Sequence, residues 1–225
     1  MTLDIPESTS ETVVPQEIPI EILYETEDFL IVNKPSGMAS HPTLTHKDGT
    51  LANAVMHYYR HIPFTFRLLT RLDADTTGVC VIAKNACFAG LFSSLHPVKT
   101  YNALCVGTPT PGFGKIDAPI ARADDSIIKR KIDCSGKPAQ TLYRTITHKN
   151  ELSLVEAIPL TGRTHQIRLH LAHIGCPLYG DFLYGTELPG ERTRLHCRKV
   201  SFSLPQSDSW FEIEAPVPPD FQRLI

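Results

Sequence analysis

The alternation of apolar and polar residues along the chain predicts many strands and few helices. Strand-like stretches with alternating or continuous apolar residues occur over 20–33 (two strands around an acidic turn), 78–83, 101–107, 127–159 and 195–215. Gly136-Lys137-Pro138 predicts a turn inside the fourth stretch, and residues 205–209 predict a break inside the fifth. The chain is therefore expected to be dominated by β-sheet.

Helical patterns are fewer, and they are separated along the chain. Residues 51–60 have helical character, and Asn85 is suited to cap a second helix that runs to about Leu95. Residues 166–174 are predicted to be helical up to a stop at Gly175-Cys176-Pro177. Many strands with a few separated helices are typical of an α+β fold. We expect a mostly antiparallel mixed sheet core with a few flanking helices.

The first residues differ in composition from the rest of the chain. Residues 1–19 are rich in Thr, Ser, Glu and Pro, which predicts an acidic, flexible N-terminal arm, and residues 20–225 are expected to form one domain. The N-terminus lacks the basic and apolar regions of a secretory signal. No stretch approaches the roughly 18 uninterrupted apolar residues of a membrane-spanning helix, so no membrane association is expected.

The six cysteines are scattered along the chain and include no Cys-x-x-Cys pair. This usage is typical of a reduced, cytoplasmic protein whose thiols are buried. His170 and His173 lie close together in the sequence, but no third ligand follows at the spacing of a zinc site. We therefore expect no bound metal, and we interpret these two histidines as structural.

The net charge of −2 hides an uneven distribution. Residues 1–30 contain eight of the 24 acidic residues and no Lys or Arg, so the rest of the chain has 22 basic and 16 acidic residues, a formal charge of +6. The basic runs 129–131 and 192–199 are either solvated faces or local patches that neutralise phosphate. The charge pattern is thus compatible with a nucleic-acid partner despite the acidic total.

Two polar runs carry the strongest candidate chemistry. Gly162 to His173 contains three histidines, two arginines, a threonine and a glutamine, and Arg71 to Gly78 contains two aspartates beside an arginine. An amphipathic segment with solvated polar groups would also show the first mixture. However, an Asp held near an Arg from a distant segment stays ionised inside a cleft. The two runs together therefore favour a site that combines a carboxylate with an arginine.

Four motifs follow one another along the chain: Val32 to Pro42, Arg71 to Gly78, Lys99 to Gly107, and Gly162 to Asp181. In this order they resemble the RluA-type family of RNA pseudouridine synthases, and the turn over 136–141 matches several members. The resemblance covers roughly residues 20–225, and it implies that this range is a pseudouridine synthase catalytic domain. The chain is similar to compact members that lack an extra N-terminal RNA-binding domain.

The resemblance implies an isomerase that acts on RNA without a cofactor. The reaction breaks the N1–C1′ bond of a uridine, turns the uracil and joins C5 to C1′, so nothing is oxidised. The family's catalytic aspartate matches Asp73, which could attack as a nucleophile, stabilise positive charge at C1′ or accept a proton. Asp75 is the competing carboxylate.

The resemblance also implies which residues act beside the catalytic carboxylate. Arg168 is expected to keep Asp73 ionised through a planar two-point contact, with Arg163 as the alternative arginine. Tyr101 is expected to stack on the uracil and to place its hydroxyl near the sugar or the base. The other interpretation of Tyr101 is an ordinary aromatic residue in a strand.

RNA is the expected partner of this protein. A uridine in folded RNA has to leave its stack to reach a catalytic carboxylate, and this base flipping is least costly in loops. Arg71 is a candidate to fill the vacated space or to bind phosphate. Lys34, Arg163 and His165 are candidates for contacts with the RNA backbone. We expect a cytoplasmic monomer.

The sequence departs from the family pattern at three positions. Thr70 stands where His is usual, Thr77 where Ser is usual, and Cys176 where His is common. None of these changes removes the aspartate, tyrosine or arginine of the expected site. Thr70 does exclude any role that depends on the missing histidine.

Two other functions compete with the isomerase. An RNA-binding module without chemistry would have no reason to retain Asp73, Tyr101 and Arg168 together. A hydrolase could use Asp73 with Asp75, but side chains at these positions on a turn are expected to diverge. The family acts on large-subunit ribosomal RNA, on transfer RNA or on both, and the turn over 136–138 slightly favours the dual type.

Overall fold

The computed structural model describes residues 13–43, 47–124, 126–204 and 210–222. The acidic segment 1–12 and the predicted break at 205–209 lie outside these ranges. The strands within them are β1 (Glu21–Glu25), β2 (Phe29–Lys34), β3 (Arg67–Leu68), β4 (Thr77–Ala83), β5 (Val98–Val106), β6 (Phe113–Asp117), β7 (Ile120–Arg122), β8 (Arg130–Ile132), β9 (Gln140–Lys149), β10 (Leu152–Pro159), β11 (Leu195–Ser203) and β12 (Trp210–Glu214).

The helices of the described ranges are α1 (Leu51–Tyr58), α2 (Ala86–Phe92), α3 (Gln166–His173) and α4 (Pro219–Gln222). A 3-10 turn, Ser93–Leu95, continues α2. Strands thus outnumber helices. The neighbouring strand pairs β1–β2, β2–β4, β5–β10, β9–β10 and β6–β9 are all antiparallel. The expected α+β class with a mostly antiparallel sheet is confirmed. No helix of the described ranges is long and apolar enough to cross a membrane.

The chain divides into two compact units within the range that was expected to be one domain. The first unit comprises the described parts of 1–97 and 200–215, and the second those of 98–199 and 216–225. β11 begins in the second unit and ends in the first. Composition does not change at residue 97, so the division could not be predicted from the sequence.

The first unit is built on two strands that are buried along almost their whole length. β2 pairs with β1 on one side and β4 on the other, and Phe29 lies opposite Ala83 at one end of the β2–β4 pair. Buried, uninterrupted apolar runs of this kind are expected of central strands covered on both faces. Phe29 stacks on Phe88 of α2 at 4.8 Å between ring centroids and meets Phe202 edge-on, so this cover is largely aromatic.

Both helices of the first unit begin at side-chain caps. The Asn85 side chain accepts the Phe88 N–H at 2.8 Å, which confirms the cap predicted for α2. Thr50 and Asn53 form a reciprocal capping box at the start of α1. These caps fix where each helix begins.

Part of the predicted flexible arm is attached to α1. The Gln16 N–H donates to the Asn53 carbonyl at 3.0 Å, and the Asn53 side-chain amide donates to the Val14 carbonyl at 2.7 Å. Val13 is buried. Within the predicted arm over 1–19, the described residues Val14 and Gln16 are thus bonded to a capping residue of α1.

Four strands of the second unit follow one another in the sheet in the order β5-β10-β9-β6, and each neighbouring pair is antiparallel. A separate two-stranded sheet pairs β7 with β8. Ile120 of β7, Ala139 and Leu169 of α3 form a small core with Ile132 and Tyr184 packed against it. This core joins the β7–β8 pair to the start of α3.

Two strands of the second unit were not predicted. β6 lies in the Pro- and Gly-punctuated stretch 109–119, and β7 follows after two residues. Both are short, and Phe113 at the start of β6 is mostly exposed. Neither strand has the alternation that predicts a half-buried strand, so partner strands rather than local pattern determine them.

Candidate active site

Asp73 lies on a turn that leads into β4. The Thr76 N–H donates to the Asp73 carbonyl at 3.1 Å, which closes the turn, and β4 starts at the next residue. The Asp73 side chain is partly exposed, whereas Leu72 and Thr76 on either side are buried. The two neighbours therefore fix the turn in the first unit while the aspartate stays at its surface.

Lys34 supports this turn from the inside. Its ammonium donates at 2.8 Å to each of the carbonyls of Pro35, Met38 and Ala74, and the side chain is fully buried. Three N–H donors thus hold the 35–38 bend against the Asp73 turn. This placement contradicts the prediction that Lys34 contacts RNA, because the ammonium is enclosed by main-chain carbonyls and not presented to solvent.

Two serines of the same motif hold the flanks of the turn. The Ser40 hydroxyl donates to the Leu72 carbonyl at 2.7 Å, and the Ser36 hydroxyl donates to the Asp75 carbonyl at 3.2 Å. The first and second sequence motifs are therefore one structure, in which the side chains of the first bind the main chain of the second. Sequence reasoning had treated the first motif only as a mark of the family and a source of an RNA contact.

Thr70, which stands where the family usually has His, binds the main chain of β4. Its hydroxyl oxygen accepts the Val81 N–H at 2.8 Å, and the Leu69 N–H donates to the Val81 carbonyl at 2.8 Å. Thr70 is buried. Thr70 thus connects the segment before the Asp73 turn to β4.

Arg168 lies on α3 in the second unit and forms a buried two-point ion pair. Its Nε donates to Asp181 Oδ2 at 2.8 Å and its Nη2 to Asp181 Oδ1 at 2.7 Å, with side-chain exposures of 4% and 0%. The guanidinium also lies over the rings of Phe182 and Tyr184. Arg168 is therefore held in one orientation.

Asp181 is a residue that sequence reasoning missed. Besides Arg168, its Oδ1 accepts the N–H groups of Leu183 and Tyr184, so the carboxylate organises the segment that follows it. Gly180 precedes it with a φ of +71°, and a Cβ there would overlap the Arg192 carbonyl. The signal was the Tyr-Gly-Asp sequence at the end of the fourth motif, to which no role had been assigned.

Tyr101 lies in β5 of the second unit, opposite Ala157 of β10. It is buried, with 6% of its surface exposed. The strand pairing of β5 with β10 fixes the backbone of this residue. Its role in stacking stays a prediction.

His165 occupies an unusual backbone conformation directly before α3. Its φ of 58° is left-handed, and its Nδ1 lies 2.9 Å from the Tyr184 hydroxyl. The same hydroxyl accepts the Arg130 N–H at 2.9 Å. His165 thus links α3 to β8 through Tyr184, a structural role that sequence reasoning did not foresee, and its contact with RNA stays a prediction.

A hydrogen-bonded chain of polar side chains lies behind α3. Gln166 donates from Nε2 to the Thr141 hydroxyl at 3.0 Å, and that hydroxyl is 2.9 Å from His170 Nδ1. His170 Nε2 donates to the Ala118 carbonyl at 3.0 Å. Burial lowers the pKa of His170, which favours the neutral ring. The structural interpretation of His170 fits this geometry.

The remaining candidate arginines lie at the surface. Arg71 is exposed, two residues before Asp73. Arg163 is partly exposed, and its Nε donates to the Pro138 carbonyl at 3.0 Å. In the described residues, no group of His, Cys, Asp and Glu side chains is arranged to hold a metal ion.

Comparison with known proteins shows the family of this chain. Residues 28–173 match the RNA pseudouridylate synthase family. An uncharacterized RNA pseudouridine synthase of Bacillus subtilis, YjbO, is 36% identical, and the alignment covers 97% of this chain and 80% of that protein. The ribosomal large subunit pseudouridine synthase D of Escherichia coli K12 is 38% identical, with 94% and 71% covered.

Two solved human structures have the same fold. RNA pseudouridylate synthase domain containing 1 matches with a TM-score of 0.75 and 27% identity, covering 92% of this chain and 86% of that one. RNA pseudouridylate synthase domain containing 4 matches with a TM-score of 0.70 and 25% identity, covering 90% of each chain. The family match spans well over half of the sequence. The chain therefore belongs to the RNA pseudouridylate synthase family and is an RNA pseudouridine synthase, which isomerises uridine to pseudouridine.

Proposed function

We propose that this enzyme modifies a uridine of large-subunit ribosomal RNA and that Asp73 is its catalytic carboxylate. The observation that carries the assignment of Asp73 is the support of its turn. Side chains of Lys34, Ser36 and Ser40 bind the carbonyls around Asp73, which fixes the backbone from which the carboxylate projects. Such preorganisation is what a reaction that depends on one positioned group requires.

The chemistry needs the charged form of that carboxylate. The N1–C1′ bond breaks, C5 bonds to C1′ and gives up its hydrogen as a proton, and N1 gains a proton, so atoms and electrons balance. An ionised carboxylate can attack C1′, stabilise positive charge there or accept the C5 proton. An amide in its place can do none of the three.

Arg168 is the proposed cation that acts with Asp73. Its support is the buried pair with Asp181, which holds the guanidinium in one orientation at no cost to the reaction step. Tyr101 is the proposed aromatic platform for the uracil, and Arg71 is proposed to occupy the space that the flipped base leaves. These roles rest on the family motifs in which the residues occur.

The choice of RNA rests on the relatives. Several similar proteins of bacterial origin are named ribosomal large subunit pseudouridine synthase D, which favours a ribosomal substrate over transfer RNA. A stem-loop is the proposed form of the site, because flipping a loop uridine requires less unstacking. Action in the cytoplasm as a monomer remains part of the proposal.

Mapping pseudouridine in total RNA from cells with and without the gene tests the substrate. We expect the loss of a small set of sites in large-subunit ribosomal RNA, with recovery on expression of the parent and no recovery with Asp73→Asn. Loss of sites only in transfer RNA would contradict the proposed target. Recovery by Asp73→Asn would contradict the proposed carboxylate.

A further inference from the structure

The second unit contains a basic cavity that no step of the reaction uses. Its volume is about 430 Å³, and β7, β8, the turn over 135–137 and residues 162–164 line it. Four cationic side chains, Arg122, Arg130, Lys137 and Arg163, belong to the lining, together with the hydroxyls of Ser135 and Thr164. No Asp or Glu is among the lining residues. The cavity therefore concentrates positive charge.

The two faces of the β7–β8 pair differ in how their cations are neutralised. Lys131 lies opposite Ala121, and its ammonium pairs with Asp124 at 2.7 Å and with Asp133 at 3.1 Å. Arg122 lies directly opposite Arg130, and neither has an ion pair with any residue that the structure describes. Like charges directly opposite in a strand pair are destabilising. An anion between the two arginines would remove this repulsion.

The guanidinium groups of the cavity retain unused donors. Arg130 bonds protein carbonyls through Nη1 alone, and Arg163 does so through Nε alone. The other guanidinium nitrogens of these two residues have no partner within the described ranges. Planar guanidinium donors match the oxygens of a phosphate group, and they bind it more specifically than a lysine does.

In the basic run 192–199, unlike in the cavity, two arginines are paired with carboxylates. Arg192 donates from Nε and Nη2 to both carboxylate oxygens of Asp220, at 2.7 and 3.0 Å. Arg194 pairs with Glu191 and with Asp220. Those cations stabilise the fold around α4. The cations of the cavity have no such counterions among the described residues.

Main-chain hydrogen bonds fix the position of two segments that line the cavity. Ile120 and Lys137 exchange two N–H···O bonds of 2.9 Å each, which bring the 135–137 turn against β7. A Cβ on Gly136 would lie 2.5 Å from the Ile120 carbonyl carbon, so only glycine permits this approach. The small core around Ile120 and Leu169 lies beneath the same segment. The four cations are thus carried by a fixed frame.

We propose that this cavity is a binding site for a phosphodiester group of the RNA substrate, formed by the second unit alone. The inference rests on the proposed function only in that RNA is the substrate. The volume lies within the roughly 300–1,000 Å³ of ordinary ligand sites, which accommodates a phosphate with its attached sugar. Residues 162–164 precede α3, so the site binds RNA next to the helix that carries Arg168.

Neutralising two of the cations tests the proposal. Arg122 and Lys137 are exposed and form no side-chain hydrogen bond with the described residues, so Arg122→Gln/Lys137→Gln should fold as the parent does. Arg60→Gln/Lys149→Gln removes the same charges from exposed positions outside the cavity and is the matched control. Thermal unfolding of both variants verifies folding. The probe is a synthetic stem-loop of large-subunit ribosomal RNA.

The cavity variant should bind RNA more weakly without a loss of turnover at saturating RNA. In the cavity variant we expect Kd to rise about tenfold at low salt and the slope of log Kd against log salt to fall by about 1.5, as for two lost phosphate contacts. KM should rise while kcat at saturating RNA stays near that of the parent. The control should retain the parent's Kd and slope. A cavity variant that binds as the control does would overturn the proposal.

Two further arms distinguish the causes of failure. Asp73→Asn is expected to bind RNA normally without turnover, so its failure concerns the proposed function and not the cavity. Inorganic phosphate, titrated against sulfate at equal ionic strength, tests for a site that takes the free anion. If the cavity variant loses phosphate binding and keeps its RNA affinity, the site binds a free anion and the RNA proposal is wrong.

Discussion

The two candidate catalytic groups are held in opposite ways. The turn of Asp73 is fixed through its main chain, since Lys34, Ser36 and Ser40 bind carbonyls of the turn. Arg168 is fixed through its own guanidinium, which is bound at two points by Asp181. Because the turn is held through its main chain, it positions the Asp73 side chain for the reaction. Because Arg168 is held through its guanidinium, that group also stabilises the fold.

This difference predicts how substitutions behave. Removing the Asp73 carboxylate should abolish the reaction and leave its turn in place, because Lys34, Ser36 and Ser40 hold that turn through main-chain carbonyls. Removing Arg168 should damage both activity and stability.

The largest expected effect is that of Asp73→Asn on turnover. The amide retains the shape of the side chain and loses its charge, so we expect turnover to fall by about 10³-fold or more with RNA affinity retained. Asp75→Asn is the matched control, since it removes the competing carboxylate from the same turn. If Asp75→Asn is inactive and Asp73→Asn is within tenfold of the parent, the roles are reversed.

Arg168→Met should lose activity and also stability. It leaves the Asp181 carboxylate buried without its cation, which costs about 3–5 kcal/mol in the free energy of unfolding. The double variant Arg168→Met/Asp181→Asn should recover part of that stability and none of the activity, because the amide carries no charge and its Oδ1 can still accept the N–H groups of Leu183 and Tyr184. Denaturant unfolding and single-turnover rates measure the two effects. An active Arg168→Met beside an inactive Arg163→Met would show that Arg163 is the catalytic arginine.

Lys34→Met tests the revised role of that lysine. Three carbonyls lose their buried donor, so we expect the free energy of unfolding to fall by about 2–4 kcal/mol and turnover to fall with it. The salt dependence of RNA binding should not change, since the ammonium contacts protein carbonyls. A normal stability with a reduced salt slope would restore Lys34 as an RNA contact.

The neutral, buried His170 predicts acid sensitivity. Its folded-state pKa is lowered by burial, so the unfolded state binds a proton that the folded state does not. The stabilising effect is therefore complete above about pH 6.5 and is lost as the pH falls below that value, by at most about 1.4 kcal/mol per pH unit. Unfolding of the parent and of His170→Gln between pH 7.5 and about 5 measures it. If the free energy of unfolding changes with pH equally in the parent and the variant, the acid sensitivity comes from other groups.

The smallest expected effect is that of deleting residues 1–12. This segment is acidic and contains no motif, so turnover should stay near that of the parent and RNA binding at low salt should be unchanged or tighter. Deletion through residue 17 should lower stability in addition, because it removes the contacts of Val13, Val14 and Gln16 with the first unit. Equal stability of the two deletions would mean that these contacts contribute nothing.

Local pattern was sufficient where neighbours in sequence determine the structure. The buried runs of β2 and β4, the Asn85 cap and the stop after α3 were predicted because each depends on residues within one turn or strand. The family motifs gave the candidate residues Asp73, Tyr101 and Arg168. These features can be predicted from the sequence without knowledge of the fold.

What could not be predicted depends on contacts between distant residues. Lys34 lies 40 residues from Ala74, whose carbonyl it binds, so its burial leaves no local trace and it resembles any surface lysine. Asp181 was quoted within a motif, but nothing in the spacing showed that it pairs with Arg168. The division into two units is likewise a property of packing and not of composition.

The most direct test of the account follows hydrogen at C5. Forming the C5–C1′ bond releases that hydrogen, so RNA that carries tritium at C5 of its uridines releases one tritium into water for each pseudouridine made. Purified parent protein should release tritium from the large-subunit stem-loop up to one equivalent per RNA, and Asp73→Asn should release none while binding the same RNA. Release by Asp73→Asn at a rate near that of the parent would contradict the central claim that Asp73 carries the reaction.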